Sequence, residues 1–158
     1  MTPFNSPAES GIPFLDPEDS VLAESAVKFG AMAVVISPKG VILHLRDDKS
    51  WIPHPGCWSL FGGAVEPDET PYDAIVRELE EELGLRENAY RPRWQIIDHG
   101  GDGRLLTIFE VRTTYGPDQM TLTEGQGLQA FQLEEALAQR LAPFCRRVLS
   151  QYTQSEIE

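Results

Sequence analysis

The sequence predicts an α/β fold in which helices cover a mixed β-sheet. Strand-like apolar runs and helix-like periodic segments both occur, but they do not alternate strictly, as they would around an all-parallel sheet. The 158 residues can bury one core, and the hydrophobic fraction of 41% is ordinary for a globular protein. Residues 1–26 contain four prolines and five acids but no base. We therefore expect one domain over residues 27–158, preceded by an acidic arm that lies over the domain or is mobile.

The first half of the domain is predicted to begin with a β-hairpin. Apolar residues are nearly continuous over 27–37, as in a strand buried on both faces, and a turn leads into a second strand over 41–46. The segment WSLFGGAV, residues 58–65, is predicted to be a short strand that runs into glycines. Residues 71–83 have the pattern of a helix.

The second half is predicted to contain three more strands and two helices. Two strands are expected within 90–100 and 104–112, around a glycine-rich turn, and a third follows over 128–133. Residues 133–141 have helical periodicity. Pro143 suits the first turn of a last helix. That helix is expected to bury three residues spaced by four: Phe144, Val148 and Tyr152.

Charge and cysteine content restrict the classes of partner. The formal net charge of -12 disfavours sequence-independent binding to DNA, RNA or an anionic membrane surface, because such binding relies on clustered Lys and Arg. A small or metal-masked anionic substrate is still compatible with this charge. Two cysteines are too few for a disulfide framework, and no apolar stretch approaches the roughly 20 residues of a membrane helix. We expect a cytoplasmic protein.

Residues 62–85 carry eight acidic side chains and one basic one, Arg77. Thr70, Pro71 and Asp73 have the spacing of an N-cap, a first-turn proline and a capping-box acid, and Gly84 is placed to end the helix. At about 100° per residue, one narrow sector of this helix carries three carboxylates and the adjoining sector is apolar. The carboxylates are those of Glu78, Glu81 and Glu82.

The three carboxylates need a counter-charge, because like charges spaced by three or four residues repel each other by a few tenths of a kcal/mol per pair. Arg77 alone cannot balance them. A hard divalent cation can, and Mg²⁺ suits a site that combines a few carboxylates with water and substrate phosphate oxygens. The alternative is that these glutamates form the solvated face of an acidic protein.

The spacing favours the metal-binding interpretation. Gly63, five residues, Glu69, seven residues and then RELEEELGL match without departure the signature of the Nudix hydrolases, G-x5-E-x7-R-E-U-x-E-E-x-G-U with U aliphatic. With usage of about 7% for each of seven fixed residues, a chance match at one position is on the order of 10⁻⁸. The chain therefore resembles the Nudix family. The motif covers only residues 63–85, but the order of strands is similar to the family's α/β/α sandwich over most of residues 27–152.

The resemblance implies hydrolysis of a nucleoside diphosphate linked to another moiety, by water attack at phosphorus with Mg²⁺ or Mn²⁺ as the cofactor. The substrate would be a nucleoside triphosphate, a nucleotide sugar or a dinucleotide, and a homodimer would fit the family. Carried over residue by residue, the family pattern makes Glu78, Glu81 and Glu82 the metal ligands, with the carbonyl of Gly62 as a further one.

The resemblance also assigns supporting and catalytic roles. Glu69 and Arg77 would pair and fix the loop against the helix, and Gly63 would let the backbone close on a pyrophosphate. The general base would be Glu82 or Glu81. Glu124, in the turn LTEGQG, stands where some family members supply a further metal ligand or the base, although it also suits an ordinary surface loop.

Substrate contacts are less defined by the sequence. Trp51 and His54 can stack on a base, or simply belong to a loop. Arg46 can reach a phosphate, or face solvent together with His44 on the same side of their strand. Phe61 replaces the proline that many family members carry before the paired glycines, and it is expected to fill the core rather than line the pocket. His99 and the glycines after it form either a lid or a tight turn.

Two functions therefore stay open at this point. One is a metal-dependent pyrophosphohydrolase, and the other is a nucleotide-sensing or partner-binding module with the same fold. The complete set of carboxylates favours catalysis, because a binding module has no need of a metal site that activates water.

Overall fold

Residues 11–158 are described in the computed structural model, and their strands form one seven-stranded mixed sheet. The strands are β1 (Phe29–Ser37), β2 (Gly40–Leu45), β3 (Trp58–Ser59), β4 (Phe61–Ala64), β5 (Arg91–Ile97), β6 (Leu105–Arg112) and β7 (Gly127–Phe131). The helices are α1 (Asp19–Ala23), α2 (Pro71–Leu83), α3 (Leu133–Leu137), α4 (Pro143–Leu149) and α5 (Gln154–Ile157), and a 3₁₀ turn covers Pro117–Gln119. The predicted α/β class is confirmed.

Strand β1 lies at the centre of the sheet. It pairs in parallel with β6 on one side, while its other side pairs with β4 through residues 30–33 and with β2 through residues 35–37, both antiparallel. The main path through the sheet is β3-β2-β1-β6-β5, and β7 pairs with β2. As the continuous apolar run predicted, β1 is buried along most of its length. This pairing fixes the glycine-containing β4 beside the middle of the molecule.

Both faces of the sheet carry an apolar core. Along β6, Leu106 and Ile108 belong to the core that contains α4, whereas Phe109 and Val111 belong to the core that contains α2. This alternation follows the period of two along a strand. Helices therefore cover the sheet from two sides, as in the expected α/β/α sandwich.

Helix α2 has the predicted bounds, and local capping sets them. The Thr70 hydroxyl accepts a hydrogen bond from the Asp73 backbone N–H at 3.0 Å, and the Asp73 carboxylate accepts one from the Thr70 backbone N–H at 3.2 Å. Gly84 ends the helix in the left-handed region with φ 65°. The apolar side of α2 is buried through Ile75 and Leu79. The adjoining side carries Glu78 and Glu82, which face β4.

The C-terminal part differs from expectation in one respect. Helix α3 ends at Leu137, although helical periodicity extended to residue 141. The backbone beyond it instead bonds to β3: the Trp58 N–H donates to the Arg140 carbonyl at 2.8 Å, and the Ala142 N–H donates to the Trp58 carbonyl at 3.0 Å. A pairing between distant segments thus overrides local helical preference. Tyr152 is buried as predicted, but it lies beyond the end of α4.

Residues 11–26 lie against the sheet, while residues 1–10 of the predicted arm lie outside the described residues. The Leu15 N–H donates to the Gln95 carbonyl, and the Gln95 N–H donates to the Pro13 carbonyl. The main anchor is Asp19, which is 1% exposed. Its carboxylate accepts hydrogen bonds from three groups. They are the Ile97 N–H at 3.1 Å, Arg147 Nη2 at 3.1 Å and His99 Nε2 at 2.7 Å.

Replacing Asp19 with Ala is expected to lower the free energy of unfolding by about 2–3 kcal/mol, because the buried Ile97 N–H loses its acceptor and Arg147 loses one of its two carboxylate partners. Urea denaturation at pH 7 measures this loss. Burial alone would raise the pKa of Asp19, but the hydrogen bonds outweigh it and lower the pKa. The contribution of Asp19 is therefore present above pH 4 and should fade as the pH falls through its lowered pKa.

The matched control is Glu18→Ala, since Glu18 is an exposed neighbour on the same segment and makes no capping hydrogen bond. It should change stability by less than about 0.5 kcal/mol. Equal stability of the Asp19→Ala variant and the wild type would show that the segment is not anchored through this carboxylate.

Candidate active site

Strand β4 and the acidic side of α2 are in direct contact. The Gly62 N–H donates to Glu82 Oε2 at 3.0 Å. A Cβ atom at Gly63 would lie 2.7 Å from Glu78 Oε1, and one at Gly62 would lie 2.0 Å from the Ala31 carbonyl oxygen. Gly62 also has φ 144°, in the region that favours glycine. The two glycines therefore let the backbone approach the carboxylates more closely than any other residues would.

Arg77 and Glu69 form the predicted pair, with two parallel contacts. Arg77 Nε donates to Glu69 Oε2 at 2.7 Å, and Nη2 donates to Oε1 at 2.9 Å. Arg77 Nη2 also donates to the Ala64 carbonyl at 3.1 Å, at the end of β4. The hydrogen bonds from Arg77 lower the pKa of Glu69. This bidentate pair joins the loop after β4 to the middle of α2.

Arg77 is also the counter-charge of two further glutamates. Its Nη1 donates to Glu78 Oε1 at 2.8 Å and to Glu81 Oε2 at 3.3 Å. Within the described part of the chain, Glu82 forms no salt bridge. Burial, with repulsion from Glu78 and Glu124, raises the pKa of Glu82 to about 8. Burial also raises the pKa of Glu78, although Arg77 opposes it. The protein by itself does not neutralise this pair.

The glutamates beside the glycine loop offer the hard oxygen ligands that a divalent cation binds. No group of three His, Cys, Asp or Glu side chains is assembled as a metal cluster among residues 11–158. The chemistry nevertheless fits a hard cation, because carboxylate oxygens of Glu78 and Glu82 converge on a glycine loop and one of them lacks a cationic partner. Glu81 lies at the outer edge, with its side chain 59% exposed.

Glu124 lies close to this pair, on the turn before β7. The preceding residue, Thr123, docks the turn on the end of α2: its N–H donates to the Glu82 carbonyl at 3.2 Å and its hydroxyl donates to the Glu81 carbonyl at 3.1 Å. Glu124 is exposed, and its charge raises the pKa of both Glu78 and Glu82. Both interpretations of Glu124, a site residue and a surface glutamate, are thus compatible with its position.

A cavity of about 520 Å³ opens beside the two glycines. Arg46 and His54, both predicted as substrate contacts, line it. Three polar residues that the sequence reasoning did not select also line it: Asp98, Asp102 and Arg104. All three belong to the segment DHGGDGR, the sequence signal that could have pointed to them. The sequence predicts only a lid or a tight turn there, and the structure shows a turn between β5 and β6.

Trp51 lies in a different recess from His54. A groove of about 210 Å³ contains Trp51, Arg46 and Glu124. Trp51 is 78% exposed, and Lys49 Nζ lies 5.9 Å from the centre of its ring. Arg46 lines both recesses, and its Nε donates to the Pro53 carbonyl at 2.8 Å. Of the predicted substrate contacts, His54 therefore lines the larger cavity, Trp51 lines the smaller groove, and Arg46 lines both.

The expectation that His44 faces solvent is wrong. β2 pairs with β3 and with β7 at this residue, so the imidazole is only 6% exposed. Its Nε2 lies 2.9 Å from the Leu60 carbonyl, and its ring stacks on Phe61 with centres 4.9 Å apart. Burial lowers the pKa of His44 to about 4. Phe61 is fully buried, which confirms its expected place in the core.

The profile of the NUDIX domain family matches residues 27–152, so the chain belongs to the Nudix family. It is a hydrolase of the class that acts on phosphoric anhydrides. The CTP pyrophosphohydrolase of Escherichia coli is 32% identical over 114 residues, which cover 71% of this chain and 82% of that protein. The RNA pyrophosphohydrolase of Helicobacter pylori is 31% identical over 111 residues, 61% of this chain and 71% of that protein.

Solved structures agree with this assignment. The crystal structure of a MutT NUDIX hydrolase from Burkholderia pseudomallei superimposes with a TM-score of 0.68 at 26% identity, covering 80% of this chain and 98% of that one. Among the described residues, no helix is long and apolar enough to span a membrane.

The lowered pKa of His44 predicts a pH dependence of stability. Between its ordinary pKa of about 6.5 and the folded value of about 4, the unfolded chain binds a proton that the folded chain does not. The contribution of His44 to the free energy of unfolding should therefore fall as the pH falls through this window, by up to about 1.4 kcal/mol per pH unit. Glu82, whose pKa is raised to about 8, contributes a change of the opposite sign over the same pH values. Urea denaturation at pH 7, 6 and 5 measures the slope.

The variant His44→Gln removes the titrating group but keeps Glu82, so the difference in free energy of unfolding between the wild type and this variant isolates His44. That difference should fall as the pH falls from 7 to 5. A slope identical to that of the wild type would mean that His44 is not held neutral by burial.

Proposed function

We propose that the chain is a divalent-metal-dependent pyrophosphohydrolase that cleaves a nucleoside diphosphate linked to another moiety, by attack of water at phosphorus. One observation carries the proposal: Glu78 and Glu82 are held against the Gly62–Gly63 backbone, without enough positive charge to balance them, at the edge of a cavity of about 520 Å³. A cavity of this volume suits a small nucleotide.

The proposed metal ligands are Glu78, Glu81 and Glu82, with the carbonyl of Gly62 as a further one. When bound, Mg²⁺ or Mn²⁺ supplies charge that offsets the phosphate groups and makes water a better nucleophile. Arg77 already binds two of these glutamates, so it holds the carboxylates in place before a metal arrives. Its pair with Glu69 and the lack of a side chain at Gly63 keep the loop close to the helix.

A carboxylate must also accept the proton of the attacking water. Glu82 is our first candidate, because it is partly buried against the glycine loop and Arg77 does not bind it. Glu81 is the second, although Arg77 binds it, and Glu124 on the facing turn is the third. Arg46 lines both recesses and is positioned to contact a phosphate.

We propose a nucleoside triphosphate as the substrate class. A relative that is 32% identical over most of this chain is named for CTP. The relative named for RNA covers less of the chain, and the net charge of -12 opposes contact with a long polyanion. Nucleotide sugars, dinucleotides and a short 5′-triphosphate RNA belong in the same assay panel, since each offers the same anhydride bond.

Replacing Glu82 with Gln should lower kcat/KM by about 100-fold or more, because the amide keeps the shape but neither binds a cation nor accepts a proton well. The measurement is phosphate or pyrophosphate release from the panel with Mg²⁺ or Mn²⁺, repeated with EDTA. EDTA should abolish release by the wild type. Wild-type activity in the Glu82→Gln variant would refute the assigned site.

The matched control is Glu80→Gln on the same helix. Glu80 is about half exposed and binds Arg86 rather than Arg77, so this variant should keep its activity within about twofold. If the whole panel is bound but not cleaved, the chain is instead a nucleotide-sensing module.

Metal binding is expected to stabilise the fold independently of turnover. Mn²⁺ or Mg²⁺ at 100 times its Kd should add about 2.7 kcal/mol to the free energy of unfolding, because only the folded chain brings the glutamates together. Thermal denaturation with and without the ion measures the shift in Tm. The shift should disappear in the double variant Glu78→Gln, Glu82→Gln and persist in Glu80→Gln. An equal shift in all three proteins would place the ion elsewhere.

A further inference from the structure

Two buried polar atoms in the described part of the chain have no hydrogen-bond partner: His54 Nε2 and Asp98 Oδ1. Both residues line the cavity beside the glycine loop. Buried polar atoms in folded proteins nearly always have partners, so two orphans in one cavity indicate a place for the polar atoms of a ligand. The Nudix signature contains neither residue.

The hairpin between β5 and β6 holds Asp98 in place through its backbone. The Asp98 N–H donates to the Arg104 carbonyl at 3.0 Å, and the Asp98 carbonyl accepts from the N–H groups of Gly101 and Gly103 at 3.1 Å each. A Cβ atom at residue 101 would lie 2.3 Å from Asp98 Oδ2, so this position needs a glycine. Asp98 is 9% exposed. The turn thus buries the carboxylate, yet its Oδ1 has no hydrogen-bond partner among the described residues.

The guanidinium of Arg104 is not paired with Asp98, because it already binds Asp102. Arg104 lines the same cavity, but its Nη2 donates to Asp102 Oδ2 at 2.7 Å and its Nε donates to Asp102 Oδ1 at 3.0 Å. Two consecutive glycines border both side chains: a Cβ atom at residue 100 would lie 3.8 Å from His54 Cε1, and one at residue 101 would lie 2.3 Å from Asp98 Oδ2. Asp98 therefore offers a hydrogen-bond acceptor in the same part of the cavity as an imidazole nitrogen.

Part of the cavity wall is apolar and includes an aromatic ring. The His54 and Phe144 ring centres are 6.2 Å apart at 59°. Met32, Leu106 and Pro53 line the same cavity. Flat, apolar surfaces with a few polar atoms at one end are suited to an aromatic ring whose edge carries hydrogen-bonding groups. A nucleobase has this form.

We propose that Asp98 and His54 bind the pairing edge of the substrate's base and select a base with an exocyclic amino group beside a ring nitrogen acceptor, as in cytosine and adenine. The carboxylate accepts a hydrogen bond from the amino group, and the imidazole N–H donates to the ring nitrogen. Uracil has a carbonyl in place of the amino group and an N–H in place of the acceptor, so the contact with the carboxylate becomes repulsive and the imidazole must change tautomer to accept from the N–H. This inference rests on the proposed function, because it takes the cavity as the nucleotide site.

The first test compares kcat/KM for CTP and UTP, which differ at these two positions of the base. The wild type should prefer CTP by about tenfold or more, because a hydrogen bond to a charged group is worth at least that factor. The variant Asp98→Asn can turn its amide towards either base, so it should lose most of this preference. Asp118→Asn, which removes the same charge at an exposed position on the 3₁₀ turn, should keep it.

The second test measures binding without turnover. Calorimetry with the α,β-imido analogues of CTP and UTP in Mg²⁺ should show the same order of affinity in the wild type and its loss in Asp98→Asn. Thermal denaturation accompanies it: Asp98→Asn should not lower Tm, because the carboxylate has no hydrogen bond to lose. A large fall in Tm would show a structural role and overturn the proposal.

A second variant, at His54, tests the proposal even if Asp98→Asn does not fold. His54 has φ 50°, a region that Asn tolerates, and His54→Asn withdraws Nε2 from the cavity. It should also reduce the preference for CTP. If the wild type cleaves both nucleotides and neither variant changes their ratio, the base-reading pair is refuted and the hydrolase proposal stands. If nothing is cleaved, the hydrolase proposal fails and calorimetry alone decides: an equal affinity for both analogues refutes the pair.

Discussion

The close contact between β4 and the carboxylate side of α2 is the constraint on which the rest of the site depends. Gly62 and Gly63 have no side chains, and this alone lets the strand pair with β1 while it touches Glu78 and Glu82. The adjoining apolar side of α2 is buried in the core, which fixes the rotation of the helix about its axis. Glu78 and Glu82 therefore face the loop, while Glu80 faces solvent.

This arrangement holds like charges together, and the protein offsets them only in part. Arg77 binds Glu69 with two hydrogen bonds and also reaches Glu78 and Glu81. Glu82 is left with a backbone N–H as its partner. Partly buried carboxylates without a counter-charge cost free energy. The burial and capping of α2 offset this cost in the folded protein, and a bound cation would reduce it.

The two ends of the cavity come from different parts of the chain. The glycine loop and α2 form one end. Both belong to one continuous segment, so a single sequence motif contains the residues of this end. The other end combines His54, from the loop after β2, with Asp98, from the hairpin after β5. The proposed phosphate chemistry and the proposed base recognition can thus be altered separately by mutation, because different segments supply them.

The sequence by itself determined the α/β class and the bounds of α2, and its resemblance to the Nudix signature implied the Glu69–Arg77 pair. The bounds of α2 depend on local signals, the Thr70 cap and Gly84. Only the tertiary structure decided that His44 is buried, since two strands distant in sequence cover it, and that α3 ends early. It also decided which polar atoms have no partner. Asp98 is an orphan because Arg104 binds Asp102 instead, and such a choice depends on distances that no local pattern contains.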